Sequence, residues 1–561
     1  MSQFTTHAPT HPGPRPEEPY PVDPLTATRH LCAGAYLDET FRNECLREVY
    51  YEPKRIVAPS FGFDAVPVLA HCVKARNGAL IRDAVIVGTV LVTLCAAPAS
   101  LFLVLTAMAA LHSTIVTYRL AKECFQRLRA NEPMALGPLI IRLFFLLIGY
   151  CVVFLLFWLA VALAGTAATT TSASSIEGFI AALGAGAFLV GVLIFGGSLG
   201  FHLWRQSVLD RMMPGVALTQ PVHNQRLEEV ARQQRGNTTV YSGFRSYVGS
   251  GDVAGSSGFA IRLVRAVNPA ARQLDGVIGR HADGSGDSEQ RREFEQLPFA
   301  AQQLVDHVRE RLSTLLPQRA AEEQIAGLTV EDRVCLAGTE VSQLLPYTPP
   351  DVMAAVIRHP TSPARHYLAC QVFAWGGQLI PTVYVHVAVQ GRSLYLEMTT
   401  TVLPPCDERF RIVDSVDGHG AAAWWRAVKT GVADAPRAIW RAPVHLASTL
   451  INMVAGQSSG QAAVTRGFDY GARVGIRELG SDTDVRYLAQ SQDIAKYHKL
   501  IERRVFASVL DYLDSHDIDT SEFRSRAASV LNISGGVFAS ADSVTFAGPV
   551  AGRDMNGAGE Q

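Results

Sequence analysis

The sequence predicts an α-helical integral membrane region of about four transmembrane helices, followed by a cytoplasmic α+β domain built on an antiparallel β-meander. Three observations lead there. Three apolar blocks, Ala84–Tyr118, Leu143–Gly165 and Gly178–Leu203, crowd one region of the chain, and each matches or exceeds the roughly 20 residues a bilayer crossing needs. Lys and Arg gather at the flanks of those blocks, as the positive-inside rule expects for cytoplasmic ends. Between Arg365 and Leu403, stretches rich in β-branched and aromatic residues alternate with glycine-containing turns.

The 561 residues are 48% hydrophobic, but that hydrophobicity is concentrated, and the rest reads as ordinary globular sequence. Fifty basic and 51 acidic residues leave a net charge of −1, which argues against a nucleic-acid partner. The nine cysteines include no Cys-x-x-Cys pair, so neither a disulfide framework nor a zinc set is expected. No cofactor or metal ligand set stands out.

Residues 1–26 carry Pro9, Pro12, Pro14, Pro16 and Pro19 with no apolar core, predicting a disordered spacer rather than a signal peptide. Residues 27–78 are expected to form a cytoplasmic juxtamembrane helical segment. Leu37, Phe41, Cys45 and Val49 recur every four residues, Asp38 is placed to cap a helix, and Pro53 ends it. The turn Ala58–Asp64 follows.

The transmembrane region is placed at 79–204. Ala84–Tyr118 carries no formal charge and as one helix would run roughly 50 Å, against about 30 Å of hydrocarbon. Pro98 among small residues suggests a two-helix hairpin; a single kinked helix is the competing reading. Lys74, Arg76 and Arg82 precede the block and Arg119, Lys122, Arg127 and Arg129 follow it. Both flanks are therefore expected on one side, which favours the hairpin. The spans fall at about 79–97, 99–118, 143–165 and 178–203, with Thr166–Ser175 as an outer loop and both termini cytoplasmic at the plasma membrane. Small residues at Gly178, Ala182, Gly186, Gly191, Gly196 and Gly200 predict a helix-packing face on the last span, internal or between copies in a homo-oligomer. No span centre carries a charge, which weighs against ion-coupled transport.

Residues 205–268 are rich in glycine and aromatics. Their glycines lack the G-x-G-x-x-G order and a Walker lysine, so a contact with a cytoplasmic protein partner or ligand through Tyr241, Phe244, Tyr247, Gly249 and Gly251 is the preferred reading. Residues 269–296 read as a linker. Over 297–531 the α+β domain takes an amphipathic helix at Leu297–Leu316 and strands at Leu328–Ala337, Tyr367–Trp375, Thr382–Val389 and Ser393–Val402. Helices follow at Gln492–Leu513 and Ser521–Leu531. His366 and His386 lack partners at ligand spacing and are expected to be structural. Residues 421–455 mix Trp424, Trp425 and Trp440 with Arg426, Lys429, Arg437 and Arg441. Two readings are open, docking into the lipid headgroup layer or packing on the β-domain. Residues 532–561 form a flexible tail.

The Ala58–Asp64 turn, the Val240–Gly251 segment, the Phe259–Leu263 strand and Ile501-Glu502-Arg503-Arg504 resemble multi-pass membrane proteins of actinobacteria. The resemblance implies the same topology in a bacterial inner membrane and no particular activity. Three function classes follow: a non-enzymatic membrane-anchored scaffold or sensor, a channel or transporter, and a membrane-tethered enzyme. The first is preferred, because no nucleophile–base, paired-carboxylate or phosphate-loop pattern is present.

Overall fold

The computed structural model describes residues 24–129, 136–168, 176–214, 224–266, 292–316, 324–341, 345–415, 418–457, 468–482, 485 and 487–533. The proline-rich stretch up to residue 23, most of the expected outer loop Thr166–Ser175, most of the expected linker 269–296 and the expected tail beyond 533 lie outside these residues. The surroundings of Gly178 lie outside them as well.

The chain begins with α1 (Pro24–Leu37) and α2 (Glu39–Cys45). Asp38 caps α2, its Oδ1 accepting from the amides of Thr40 and Phe41 at 2.8 and 3.1 Å. The α1 helix falls mostly in the stretch expected to be helical, but the sequence placed no separate helix before Asp38. Its apolar residues Leu31, Cys32, Ala33 and Ala35 are all buried, so it shows little of the one-sided pattern by which a surface helix is read.

Four helices then run through the apolar region: α3 (Ala65–Ala96), α4 (Pro98–Arg129), α5 (Leu136–Ala168) and α6 (Ile176–Leu209). Each contains a stretch long and apolar enough to cross a membrane. Asp64 caps α3 through the Val66 amide at 3.0 Å, and α3 ends at Ala97, whose φ −151° and ψ 66° leave the helical region. Pro98 then opens α4, where its missing N–H costs nothing. Contacts fix the directions. Trp204 lies on Gly78 and Gly197 faces Val85 and Ile86, so α3 and α6 are antiparallel. Ser100 donates to Leu183 O at 3.2 Å and lies beside Gly186, while Val104, Met108, Val190 and Ile194 share one cluster, so α4 runs parallel to α6. Helices α3 and α4 are therefore an antiparallel hairpin. On α5, Phe144, Phe145, Leu147, Phe154, Leu155 and Trp158 are exposed, a surface that water would disfavour and lipid suits.

The second unit is one six-stranded sheet in the order β1-β3-β4-β5-β6-β2. Its strands are β1 (Thr238–Tyr241), β2 (Asp252–Arg262), β3 (Leu328–Ala337), β4 (Arg365–Val372), β5 (Ile380–Gln390) and β6 (Ser393–Leu403). All neighbours pair antiparallel except β1 with β3. The expected meander is β3–β6. The sheet also takes both of its edge strands from the 205–268 segment. Strand β2 is easy to misread as turn, since Gly255, Ser256, Ser257 and Gly258 carry little β-propensity, yet it pairs with β6 from Asp252↔Val402 to Arg262↔Ser393 around a bulge at Val253/Gly255.

One sheet face is covered by α8 (Ala301–Ser313), α12 (Leu488–Ser515) and α13 (Ser521–Ile533). The core there includes Leu304, Val308, Leu312, Ile501, Val505, Val509 and Phe523. The opposite face carries Cys335, Tyr367, Ala369 and Tyr384. Short helices α7 (Gln225–Gln233), α9 (Pro350–Arg358) and α11 (Ile476–Leu479) and the long α10 (Gly420–Gln457) complete the fold. His366 and His386 lie in the sheet, His366 Nε2 on Asp332 Oδ1 at 2.8 Å and His386 Nδ1 on His366 O at 2.8 Å.

Two glycines in the β1–β2 connection separate backbone strain from crowding. Gly251 has φ +84° and a side chain there would meet Val402 O at 2.0 Å, whereas Gly243, φ +61°, faces open space. Gly243→Ala is expected to cost about 1 kcal/mol of strain alone. Gly251→Val should lower the thermal midpoint of the detergent-solubilised chain far more, or prevent folding. Equal midpoints for the two variants would refute the assignment of β2 to the sheet edge.

Candidate functional site at the membrane boundary

The glycine-rich connection is closed around a carboxylate of its own chain. Positive φ at Gly249 and Gly251 turns both amides toward Glu478 Oε1, at 2.7 and 3.0 Å. The Gly475 amide and Arg245 Nη2 take Glu478 Oε2 at 2.9 and 3.2 Å. Successive amides of this kind make an anion cradle, and here the anion is internal. Tyr247 stacks on Tyr384 with ring centroids 4.5 Å apart, and burial pushes its phenol up to about 12. Tyr241 closes β1 and pairs with Ala337. Of the five residues read as partner contacts, Tyr247, Gly249 and Gly251 are thus engaged within the fold, and Phe244 is fully exposed.

Beside the cradle, Arg477 is a fully buried guanidinium. Its Nη1 donates to Phe61 O at 3.0 Å and its Nη2 to Gly377 O and Gln378 O at 2.8 and 2.7 Å. Burial pulls its pKa down. The Ala58–Asp64 turn is therefore a clip between the entry to α3 and the sheet domain.

Helix α10 decides how the sheet domain meets the apolar helices. Ala423, Ala427, Gly431, Ala435, Ala438 and Ala442 recur every three or four residues and are buried. This is a small-residue seam that lets helices approach closely. Ser198 donates to Gly431 O at 2.9 Å, Gly431 abuts Leu199, and Ala438, Ile439 and Ala442 join Ile86, Val104, Met108, Val190 and Ile194 in one cluster. Trp424 Nε1 donates to Asp210 Oδ2 at 3.0 Å. Helix α10 therefore packs on α3, α4 and α6, not on the β-domain. Its other side exposes Trp425, Arg426, Lys429, Trp440 and Arg441, with Lys429 Nζ 5.5 Å from the Trp425 ring centre. Arg437 is half-buried and lines a cleft with His112, Arg119 and Arg142.

The close approach expected along α6 is found only in part. Gly186 meets Ser100, but a side chain at Gly191, Gly196 or Gly200 would meet nothing within 4 Å, and Ala182 is exposed. Gly196 and Gly200 front a cavity instead. Its volume is about 830 Å³, and it lies between α3 and α6, lined by Lys74, Gly78, Ile81, Arg82 and Val85 on one wall and Gly196, Gly200, Phe201 and Trp204 on the other.

Behind that cavity is a cluster of charges that sequence reasoning missed. Asp83 is 1% exposed. It pairs with Arg82 at 2.7 Å and His445 at 3.8 Å. Asp434 lies 3.9 Å from Arg82 and 3.6 Å from His202, and His445 reaches Glu39 at 3.1 Å. Helices α2, α3, α6 and α10 meet here. The one signal in the sequence is an Arg-Asp pair immediately before the uncharged run, and its partners, from 39 to 445, are far along the chain. Among the described residues no group of His, Cys, Asp or Glu is arranged to hold a metal ion.

The sequence profile of the AbeC-like domain matches residues 256–545, just over half of the chain. No curated protein and no solved structure matches. The matched region runs from the middle of β2 past α13 and includes α10 and Arg477.

Two outcomes follow. Arg477→Met strands three buried carbonyls, each worth about 1–3 kcal/mol, and should lower stability by about 3 kcal/mol or more; an unchanged thermal midpoint would contradict the clip. The second concerns His30, whose Nε2 lies 2.6 Å from Asp414 Oδ2. Burial pulls its pKa down, but hydrogen bonds to Asp414 and Cys406 outweigh that and raise it above 6.5. Burial pushes the Asp414 carboxyl up, yet His30 and Arg29 hold it below 3.8. A raised imidazole stabilises fully below its unfolded pKa and loses that contribution as pH rises through the folded one; a lowered carboxyl loses its contribution as pH falls through the folded one. The stability gap between wild type and His30→Gln should be widest between about pH 4 and 6.5 and narrow on either side, as read from unfolding midpoints across pH.

Proposed function

The chain belongs to the AbeC-like domain family, and from that premise we propose that it is a membrane-anchored scaffold or sensor whose large cytoplasmic domain moves with its transmembrane bundle as one body. The observation that carries this is the packing of α10, a helix of the domain-bearing half of the chain, along α3, α4 and α6 through a seam of small residues. A domain that merely hangs from an anchor needs no such contact. Arg477 supplies a second joint, between the segment entering α3 and the sheet.

A non-enzymatic role fits the way polar groups are used. The glycine cradle is filled by Glu478, and Asp332 and His366 pair with each other. A setting in the bacterial plasma membrane with both termini inside agrees with the clustering of Lys and Arg at one end of the bundle. Fully exposed Phe244 is a contact point for a cytoplasmic protein partner, and the exposed Trp425 and Trp440 suit the headgroup layer.

The test is cooperativity in the full chain. Wild type in mild detergent should unfold in one transition. Gly431→Leu, whose added carbon would come within 3.1 Å of Leu199 Cα, should separate the melting of bundle and domain by about 4 °C or more. Two independent transitions in wild type, untouched by Gly431→Leu, would overturn the reading. Ion flux through proteoliposomes above that of empty vesicles would favour a channel.

A further inference from the structure

We propose that the cavity between α3 and α6 binds one anionic phospholipid from the adjacent leaflet, its phosphate at Lys74 and an acyl chain along Ile81, Val85, Gly196 and Gly200.

The cavity has the polarity of an amphiphile. Lys74, Gly78, Ile81 and Val85 recur along one side of α3, and from Lys74 to Val85 that side covers about 16 Å at 1.5 Å per residue. Its Lys74 end also holds His71, Asn77 and Asn224; its Val85 end holds Ile81, Val85 and the bare backbone of Gly196 and Gly197, with Arg82 beside them held on Phe201, Asp83 and Asp434. A volume of about 830 Å³ is within the usual range for bound small molecules. Trp204, seated on Gly78, and Phe201 form one aromatic wall.

Charge selects the headgroup. The lining holds two cations, Lys74 and Arg82, and no carboxylate. Arg82 is committed: its guanidinium lies 4.9 Å over the Phe201 ring and pairs with Asp83 and Asp434. Lys74 is exposed, and no ion pair to it is found among the described residues. Asn77 receives Arg76 on its Oδ1, at 3.1 and 2.7 Å, which leaves its amide NH₂ to donate. An ammonium and an amide donor above an apolar slot suit a phosphate diester attached to hydrocarbon.

Continuity with the bilayer supplies the source. Val85 and Ile81 are themselves exposed, at 42% and 67%, so the slot opens sideways on the apolar surface of the bundle. The absent side chains at Gly196 and Gly200 also have a use here. With nothing within 4 Å of either position, they keep the α6 wall flat without joining any helix–helix contact. The proposal stands whether or not the domain recruits a partner, and a chain that unfolds in two transitions could still bind the lipid.

Native mass spectrometry of the full chain in nonionic detergent tests it, with phosphatidylglycerol and phosphatidylcholine of identical chains as probes. Wild type should retain one phosphatidylglycerol about fivefold or more tighter than phosphatidylcholine, the size of one lysine–anionic lipid attraction. Lys74→Gln, a surface change, should erase that preference while keeping chain-dependent retention. Gly200→Leu and Gly196→Leu should each cut retention of both lipids at least fivefold with an unchanged thermal midpoint. Equal retention of the two lipids by wild type, or a preference that survives Lys74→Gln, overturns the proposal even if the glycine variants fail to fold. So does full competition by equimolar glycerol 3-phosphate, which would make the site one for a free phosphate ester.

Discussion

A charge taken out of water must be met by dipoles that stay with it, and the buried guanidinium of Arg477 shows what this does to the rest of the chain. It has no carboxylate partner in its hydrogen-bond set. Instead three main-chain carbonyls converge on it, from Phe61, Gly377 and Gln378. Hydrogen bonds to a charged group are worth about 1.5–3 kcal/mol each, enough together to offset the several kcal/mol that burying the ion costs. The geometry works only if the turn before α3, the β4–β5 turn and α11 are in place at once. Gly62 and Gly377 both take positive φ beside it, so the carbonyls are aimed by backbone that other residues adopt poorly. One side chain thereby couples the entry of the apolar bundle to the middle of the sheet.

The second coupling is of a different kind. Helix α10 meets the bundle through small side chains, where the gain is close packing, and then through charges at the depth of Arg82 and Asp83. The two complement each other. Packing of Ala438 and Ala442 near Ile86 and Ile194 sets the height of α10, and at that height Asp434 and His445 reach the polar groups of α3 and α6. Asp83 is almost wholly buried, and without Arg82 and His445 it would be an uncompensated ion, a situation worth several kcal/mol. The cluster therefore resists sliding of α10 along α6, while the alanine seam by itself would tolerate a shift of one turn.

Much of this architecture could be read from residues alone, and the reason lies in what the signals depend on. The four apolar helices, the break at Pro98 and the strands of β3–β6 follow from local composition and period, and each is found. The Asp38 cap is likewise local. Helix α1 was not delimited as a helix of its own because its residues are buried all round. Strand β2 was read only at its Phe259–Leu263 end, because Gly255 to Gly258 carry no strand signature and owe their conformation to β6. The site is less legible than the fold for the same reason. Asp83, His202, Asp434, His445 and Glu39 come from four helices spread over most of the chain, and no spacing rule joins them. The small-residue stripe on α6 was visible, but a glycine that admits a neighbouring helix and one that fronts an open cavity look identical in a sequence. Beyond the Gly186–Ser100 contact, the continuous small-residue seam lies on α10, where conspicuous tryptophans and arginines mark the other side of the helix.

The position of the cavity relative to the charge cluster carries the last step. Arg82 belongs to both: its guanidinium stacks on Phe201 in the cavity wall and pairs with Asp83 and Asp434 behind it. An anion at Lys74 would lie about 12 Å along α3 from Arg82, and its attraction for that guanidinium grows as the occupant excludes water from the slot between them. Any pull on Arg82 toward the cavity weakens its 3.9 Å contact with Asp434, leaving that carboxylate to His202. Asp434 sits on α10, midway between Gly431 and Ala438 on the packed side. If the α3–α6 cavity takes an anion as proposed, its charge reaches α10 through the Arg82–Asp434 contact, whereas an occupant with no charge exerts no such pull.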